Sequence, residues 1–132
     1  MRKRTVLFIC KGNSGRSQMA ETFFNYFAKT GKAISAGTKP DEKLHPWTIK
    51  VMKEAGGDIS QQKPKLLTNE MMRNADRIII MDSEISKNIP PEYLPKLKKW
   101  RIEKLLGKPI GQIRKIRDRI KKRVKQLIKE IE

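Results

Sequence analysis

The sequence predicts an α/β fold in which strands and helices alternate, β-α-β-α-β-α. Two short apolar runs, "TVLFI" and "DRIIIMD", lack the polar alternation of a half-exposed strand and read as parallel strands buried on both faces. Elsewhere apolar residues recur every three or four positions, the period of an amphipathic helix. The 132 residues contain no linker, repeat or low-complexity tract and read as one domain over 1–132, long enough to bury roughly two-thirds of its unfolded surface.

Thr5–Ile9 forms the first strand. Ser17–Lys29 is helical, with Met19, Ala20, Phe23, Phe24 and Phe27 on one face. Ala33–Ala36 is a second strand, ended by Gly37. "LHPWTIKVMKEAGG" gives a helix with Pro46 in its first turn and glycines at its end. "DRIIIMD" is the clearest buried strand, and "KLKKWRIE" a weaker final one. From Pro109 a long helix runs nearly to the end. Ile110, Ile113, Ile116, Ile120, Val124, Leu127 and Ile131 form its apolar stripe, opposite a face of Lys and Arg, and the stripe is expected to pack on the sheet.

Composition narrows the function classes. No apolar run approaches the roughly 18 residues of a transmembrane helix, and the basic-then-apolar opening "MRKRTVLFIC" is too short for a signal peptide. One cysteine excludes an intramolecular disulfide and fits a reducing, cytoplasmic setting. The net charge of +17 is concentrated late, residues 96–132 holding 15 Lys and Arg against four acids. Such a balance suits anionic partners. From residue 110 onward no aromatic residue interleaves with the basic ones, so a solvated basic surface is the expectation, with neither nucleic acid nor membrane as partner.

The single thiol lies in "VLFICKGNSGRSQMAE", residues 6–21. Strand, tight turn and helix in succession place Cys10 at the carboxyl end of a parallel strand, where open α/β sheets bind ligands. The amides of Lys11, Gly12, Asn13, Ser14, Gly15 and Arg16 can curl into an anion-binding nest. Glycines at 12 and 15 permit unusual φ values, and Asn13 tolerates the left-handed region. The helix beginning near Arg16 aims its positive end at the same spot. That field favours a thiolate over a thiol. Arg16 supplies a planar fork for two oxygens of a tetrahedral oxyanion, and the Ser17 hydroxyl can hydrogen-bond the sulfur. A nucleotide P-loop is excluded because no G-K-[ST] closes the turn.

This stretch resembles the signature of the low-molecular-weight protein tyrosine phosphatases and of the thioredoxin-coupled arsenate reductases that share their fold. The resemblance continues through "SAGTKP", "HPWTIKVMKEAGGDIS", "ADRIIIMD" and "WRIE" followed by a helix, and covers nearly the whole chain. It implies a four-stranded parallel sheet flanked by helices on both faces, flavodoxin-like. It implies Cys10 as nucleophile, Arg16 and the loop amides as oxyanion cradle, Ser17 as thiolate stabiliser and Asn13 as keeper of the loop shape. The implied reaction passes through a phosphocysteine and needs no cofactor or metal. The implied partners are phosphate or arsenate, a phosphotyrosine protein or a small aryl phosphate, and, for a reductase, an external thiol reductant.

Two departures stand out. The reductases carry two further cysteines after the strand that reads "IIIM" here, whereas "MDSEISKNIPPE" has none. The phosphatases place an Asp-Pro near the end, its aspartate protonating the leaving group. In "WRIEKLLGKP" those positions read Lys104 and Leu105. Glu103, beside them, either deputises as the acid or is a solvated surface residue. Asp82, at the end of the buried strand, shares the rim with Cys10 and either holds the loop or repels anions. His45, the only histidine, reads as a helix-cap residue. Trp47, Trp100, Met71 and Met72 read as packing residues.

Overall fold

The computed structural model describes residues 4–132, so the first three residues of the basic opening stretch lie outside it. Four parallel strands, β1 (Thr5–Cys10), β2 (Lys32–Gly37), β3 (Arg77–Ile80) and β4 (Leu97–Lys99), form a sheet in the order β2-β1-β3-β4. The helices are α1 (Arg16–Phe27), α2 (Pro46–Glu54), α3 (Asn69–Asn74) and α4 (Ile110–Ile131).

The strands lack alternation because both sheet faces are covered. Val6, Phe8, Cys10 and Ile79 point into a core shared with α1, α2 and α4. Leu7, Ile9, Ile78 and Ile80 point the other way, against Met72, Ile85, Ile89 and Tyr93. On α4 the expected stripe is buried at Ile113, Ile116, Ile120, Val124 and Leu127, with Ile128 added. Each such side chain contributes about 1.5–3 kcal/mol over its exposed state. Strand β4 lies at the sheet edge and exposes Lys98 and Lys99, charges that discourage pairing with another chain.

Several boundaries differ from expectation. Helix α1 stops at Phe27 rather than Lys29 because Ala28 turns extended. The Glu132 carboxylate then takes the amides of Lys29, Thr30 and Gly31. Those three bonds hold it well below the ordinary carboxylate range, at about 2. Helix α3 is an additional element. Thr68 caps it by accepting the Met71 N–H at 3.2 Å, and Met72 is its one buried residue. Two 3₁₀ turns, Ser83–Asn88 and Pro91–Lys96, link β3 to β4 and place Ile85, Ile89 and Tyr93 under the sheet. The last strand is only three residues long, so "WRIE" is loop beyond it, tied on by Trp100 N–H to Ile80 O at 2.9 Å. Among the described residues, no helix is long and apolar enough to cross a membrane.

Candidate active site

Strands β1 and β3 are neighbours, and the connections leaving their carboxyl ends run to opposite sides, β1 to β2 and β3 to β4, which opens a crevice beside Cys10. Residues 11–15 cross this crevice, and Gly15 caps α1 without any side-chain bond. The carbonyls of Lys11, Gly12 and Ser14 are taken from outside by the N–H groups of Lys39, Asp41 and His45, at 2.9–3.0 Å. Among the described residues no acceptor faces the N–H groups of residues 12–16. Five backbone donors therefore stand without a protein acceptor in the loop that leads into the positive end of a twelve-residue helix.

The loop's shape depends on residues other than those the glycine pattern indicates. Asn13 is left-handed, at φ 51, while neither Gly12 nor Gly15 has a positive φ. The space at Gly15 is bounded by the buried Leu105, and that at Gly12 by the exposed Asp41, which can swing aside. A Cβ on Gly15 would lie 2.6 Å from Leu105 Cδ1, and one on Gly12 would collide with the Asp41 carboxylate.

Asn13 is fully buried, and its amide orientation is set by its neighbours. Oδ1 accepts the Lys65 N–H at 2.8 Å and a Gln18 Nε2–H at 3.1 Å, so Nδ2 is the group that donates to Ser17 Oγ at 2.7 Å. Ser17 Oγ lies 2.8 Å from Cys10 Sγ. Asn13 engages one lone pair of the Ser17 oxygen, which leaves the hydroxyl hydrogen free to be donated to the sulfur when Cys10 is the thiolate. This polarity suits a thiolate better than a thiol.

Arg16 is buried and held on three sides. One terminal nitrogen donates to Met81 O at 3.0 Å and Ile102 O at 2.8 Å, and the other to the two Asp82 oxygens at 2.8 and 2.9 Å. Asp82 Oδ2 also accepts the Lys11 N–H at 3.2 Å. The fork expected to face an oxyanion thus faces an internal carboxylate. Of the two roles open to Asp82, the contacts are those of holding the loop.

The loop opens into a pocket of about 510 Å³ whose lining includes Cys10, residues 11–16, Asp82 and Lys104. Glu103 is not among its walls. Its Oε1 accepts from Gln112 Nε2 at 2.9 Å and pairs with Arg119 at 3.3 Å, contacts that tie it to α4, and of the two roles open to it these are those of a surface residue. Lys39, Pro40, Asp41, His45, Leu105 and Leu106 also line the pocket. For the first four the signal was the end of β2, because the Cys10–Gly37 register puts the segment after Gly37 beside the loop, whereas Leu105 and Leu106 come from the segment after β4. Trp100 packs on Phe8 in the core, 5.6 Å between ring centroids, and Trp47 is 43% exposed outside the pocket lining.

Comparison with known proteins agrees with this arrangement. The family model described as low molecular weight phosphotyrosine protein phosphatase matches residues 5–132. An arsenate reductase of Staphylococcus aureus is 36% identical over 125 residues, covering 92% of this chain and 93% of its own. The low molecular weight protein tyrosine phosphatase from T. tengcongensis superposes with a TM-score of 0.88 at 29% identity, covering 97% of this chain and 99% of its own. An arsenate reductase solved in a phosphate-binding state gives 0.86 at 32% identity, covering 98% and 99%. Loop, fold and sequence agree along almost the whole length, and the chain belongs to the low molecular weight phosphotyrosine protein phosphatase family.

Proposed function

We propose that this chain, acting as one domain over 1–132 in the cytoplasm, is a cysteine-dependent phosphomonoester hydrolase that works through a phosphocysteine. The observation that carries the reading is the directed chain from Asn13 through Ser17 to the Cys10 sulfur, set beneath five unpaired amides.

The Cys10 thiolate attacks phosphorus in line, forming an S–P bond as the ester P–O bond breaks and its electron pair leaves with the alcohol oxygen. The amides of residues 12–16 meet the equatorial oxygens, and Arg16 joins them by exchanging Asp82 for the phosphoryl group. Water then attacks phosphorus. The S–P pair returns to Cys10, which Ser17 stabilises as the departing thiolate. Arg16 and Ser17 are thereby catalytic, and Lys11–Arg16 is the oxyanion-binding loop.

The arsenate reductase relatives support a second reading of the same site. Cys10 would form a thiol–arsenate adduct as one As–O bond breaks and its oxygen leaves as water, and an external thiol would attack the sulfur, the S–As pair passing to arsenic to reduce it by two electrons and leave a mixed disulfide. A second external thiol would then release Cys10. External thiols are required because the chain has one cysteine.

Phosphate release from 4-nitrophenyl phosphate, measured beside arsenate reduction with a small dithiol and with a dithiol protein, separates the two. Cys10-dependent phosphate release supports the hydrolase. Arsenate reduction without it transfers the conclusion to the second reading, and neither activity overturns both.

A further inference from the structure

Resting on the hydrolase reading, the pocket walls also bear on which phosphoryl compounds the site can take. An ester of an alcohol or phenol must receive a proton as its oxygen departs, and a positioned acid contributes about 10²–10⁴ to the rate of that step. Two carboxylates line the pocket among the described residues, Asp82 with both oxygens bonded and the exposed Asp41 with one. Asp82 is locked to Arg16 and to the Lys11 amide. Asp41 Oδ2 accepts the Ser14 hydroxyl of the loop itself. Glu103 is turned to α4. His45 accepts the Trp47 N–H on Nδ1 at 3.2 Å, where it caps α2. What remains at the mouth is cationic. Lys11, Lys39 and Lys104 are exposed and have no carboxylate partner among the described residues.

We infer that the site is built for phosphoryl compounds whose leaving group departs as a stable anion, acyl phosphates foremost, rather than for phenolic esters such as phosphotyrosine. A carboxylate leaving group has a conjugate-acid pKa of about 4 and a phenol one of about 10, so only the second needs a proton near neutrality. In the acyl phosphate reaction the Cys10 thiolate bonds to phosphorus and the P–O bond to the acyl group breaks. The electron pair stays on the carboxylate, and the Lys104 ammonium meets the growing charge with no proton transferred. Water then opens the phosphocysteine, its oxygen bonding to phosphorus and its proton remaining on inorganic phosphate. The S–P pair returns to Cys10.

The test is kcat/KM at neutral pH for benzoyl phosphate and for aryl phosphates graded in leaving-group acidity, with wild type and Cys10→Ser in parallel. The expected result is a steep fall along the series, phenyl phosphate lying at least about 10²-fold below benzoyl phosphate, the contribution a proton donor would have made. Phenyl phosphate within tenfold of benzoyl phosphate overturns the inference while leaving the hydrolase reading intact. Asp41→Asn and His45→Gln would then show which group donates. No Cys10-dependent phosphate release from any member overturns the hydrolase reading itself. Lys104→Asp, at an exposed position, should flatten the series by introducing an acid, and an unchanged slope would remove Lys104 from the leaving-group side and refute its role. A protein-borne aspartyl phosphate presents the same bond as benzoyl phosphate, and comparing the two separates a protein substrate from a small one.

Discussion

Replacing Ser17 by alanine removes one oxygen that serves two neighbours. The Asn13 Nδ2–H loses its acceptor at 2.7 Å, and the Cys10 sulfur loses its donor at 2.8 Å. Both groups are buried, so water does not readily replace either bond. A hydrogen bond to a charged group contributes about 1.5–3 kcal/mol. Losing it from the thiolate but not the thiol lowers the thiolate-to-thiol ratio roughly 10- to 100-fold, at about 1.4 kcal/mol per factor of ten. The orphaned Asn13 amide costs a further ~1–3 kcal/mol of stability. Two measurements separate these effects. Iodoacetate labelling of Cys10 at neutral pH should slow by roughly 10- to 100-fold in proportion to the thiolate, and denaturant unfolding should show the lower stability. Ser17→Thr, which keeps the hydroxyl, should restore most of the labelling rate. A folded Ser17→Ala protein that labels at the wild-type rate would refute the directed chain from Asn13 to sulfur.

Three other substitutions probe separate parts of the structure. Arg16→Lys keeps the charge but cannot span Met81 O, Ile102 O and Asp82 together, so phosphate release should fall by at least about 10²-fold, and near-wild-type turnover would show that charge alone suffices. Gly15→Ala drives a Cβ against Leu105 and should cost about 1–3 kcal/mol, with Leu105→Ala relieving part of that cost in the double mutant; additive losses in urea unfolding would contradict the close approach. Glu132 has a folded-state value of about 2 against an ordinary 4.5, so its contribution is fully present above about pH 4.5 and is lost as pH falls towards 2. Glu132→Gln should accelerate amide exchange at Lys29, Thr30 and Gly31 at neutral pH, and unchanged exchange there would show the carboxylate holds nothing.

The parts of the fold legible in sequence were those written by local pattern. Unbroken apolar runs gave β1 and β3, and the three-to-four spacing gave α1 and α4, because burial on two faces and on one stripe leaves distinct periods. Helix α3 and the 3₁₀ turns are too short to show a period. The thiol, the loop and Ser17 were legible because they are contiguous. Contacts across the sheet were not. That Asp82 meets Arg16 depends on β3 lying beside β1, which no local pattern encodes. The orientation of Glu103 was decided by Gln112 and Arg119, on a helix that begins seven residues later. The left-handed position fell on Asn13 because its amide gains partners on Lys65, Gln18 and Ser17 there, a benefit that glycine could not draw.

The pairing of Arg16 with Asp82 changes what capturing an anion means at this site. Paired with Asp82 the guanidinium is already neutralised, so an arriving phosphoryl group replaces one anionic partner with another instead of meeting a bare cation. Affinity is then the difference between two pairings, smaller than either alone, and Asp82 must keep the Lys11 amide or find water once Arg16 turns. An exchange of this kind works in both directions. The carboxylate that resists entry also helps to expel inorganic phosphate after hydrolysis, so weak ground-state binding and rapid product release follow from a single salt bridge beneath the loop.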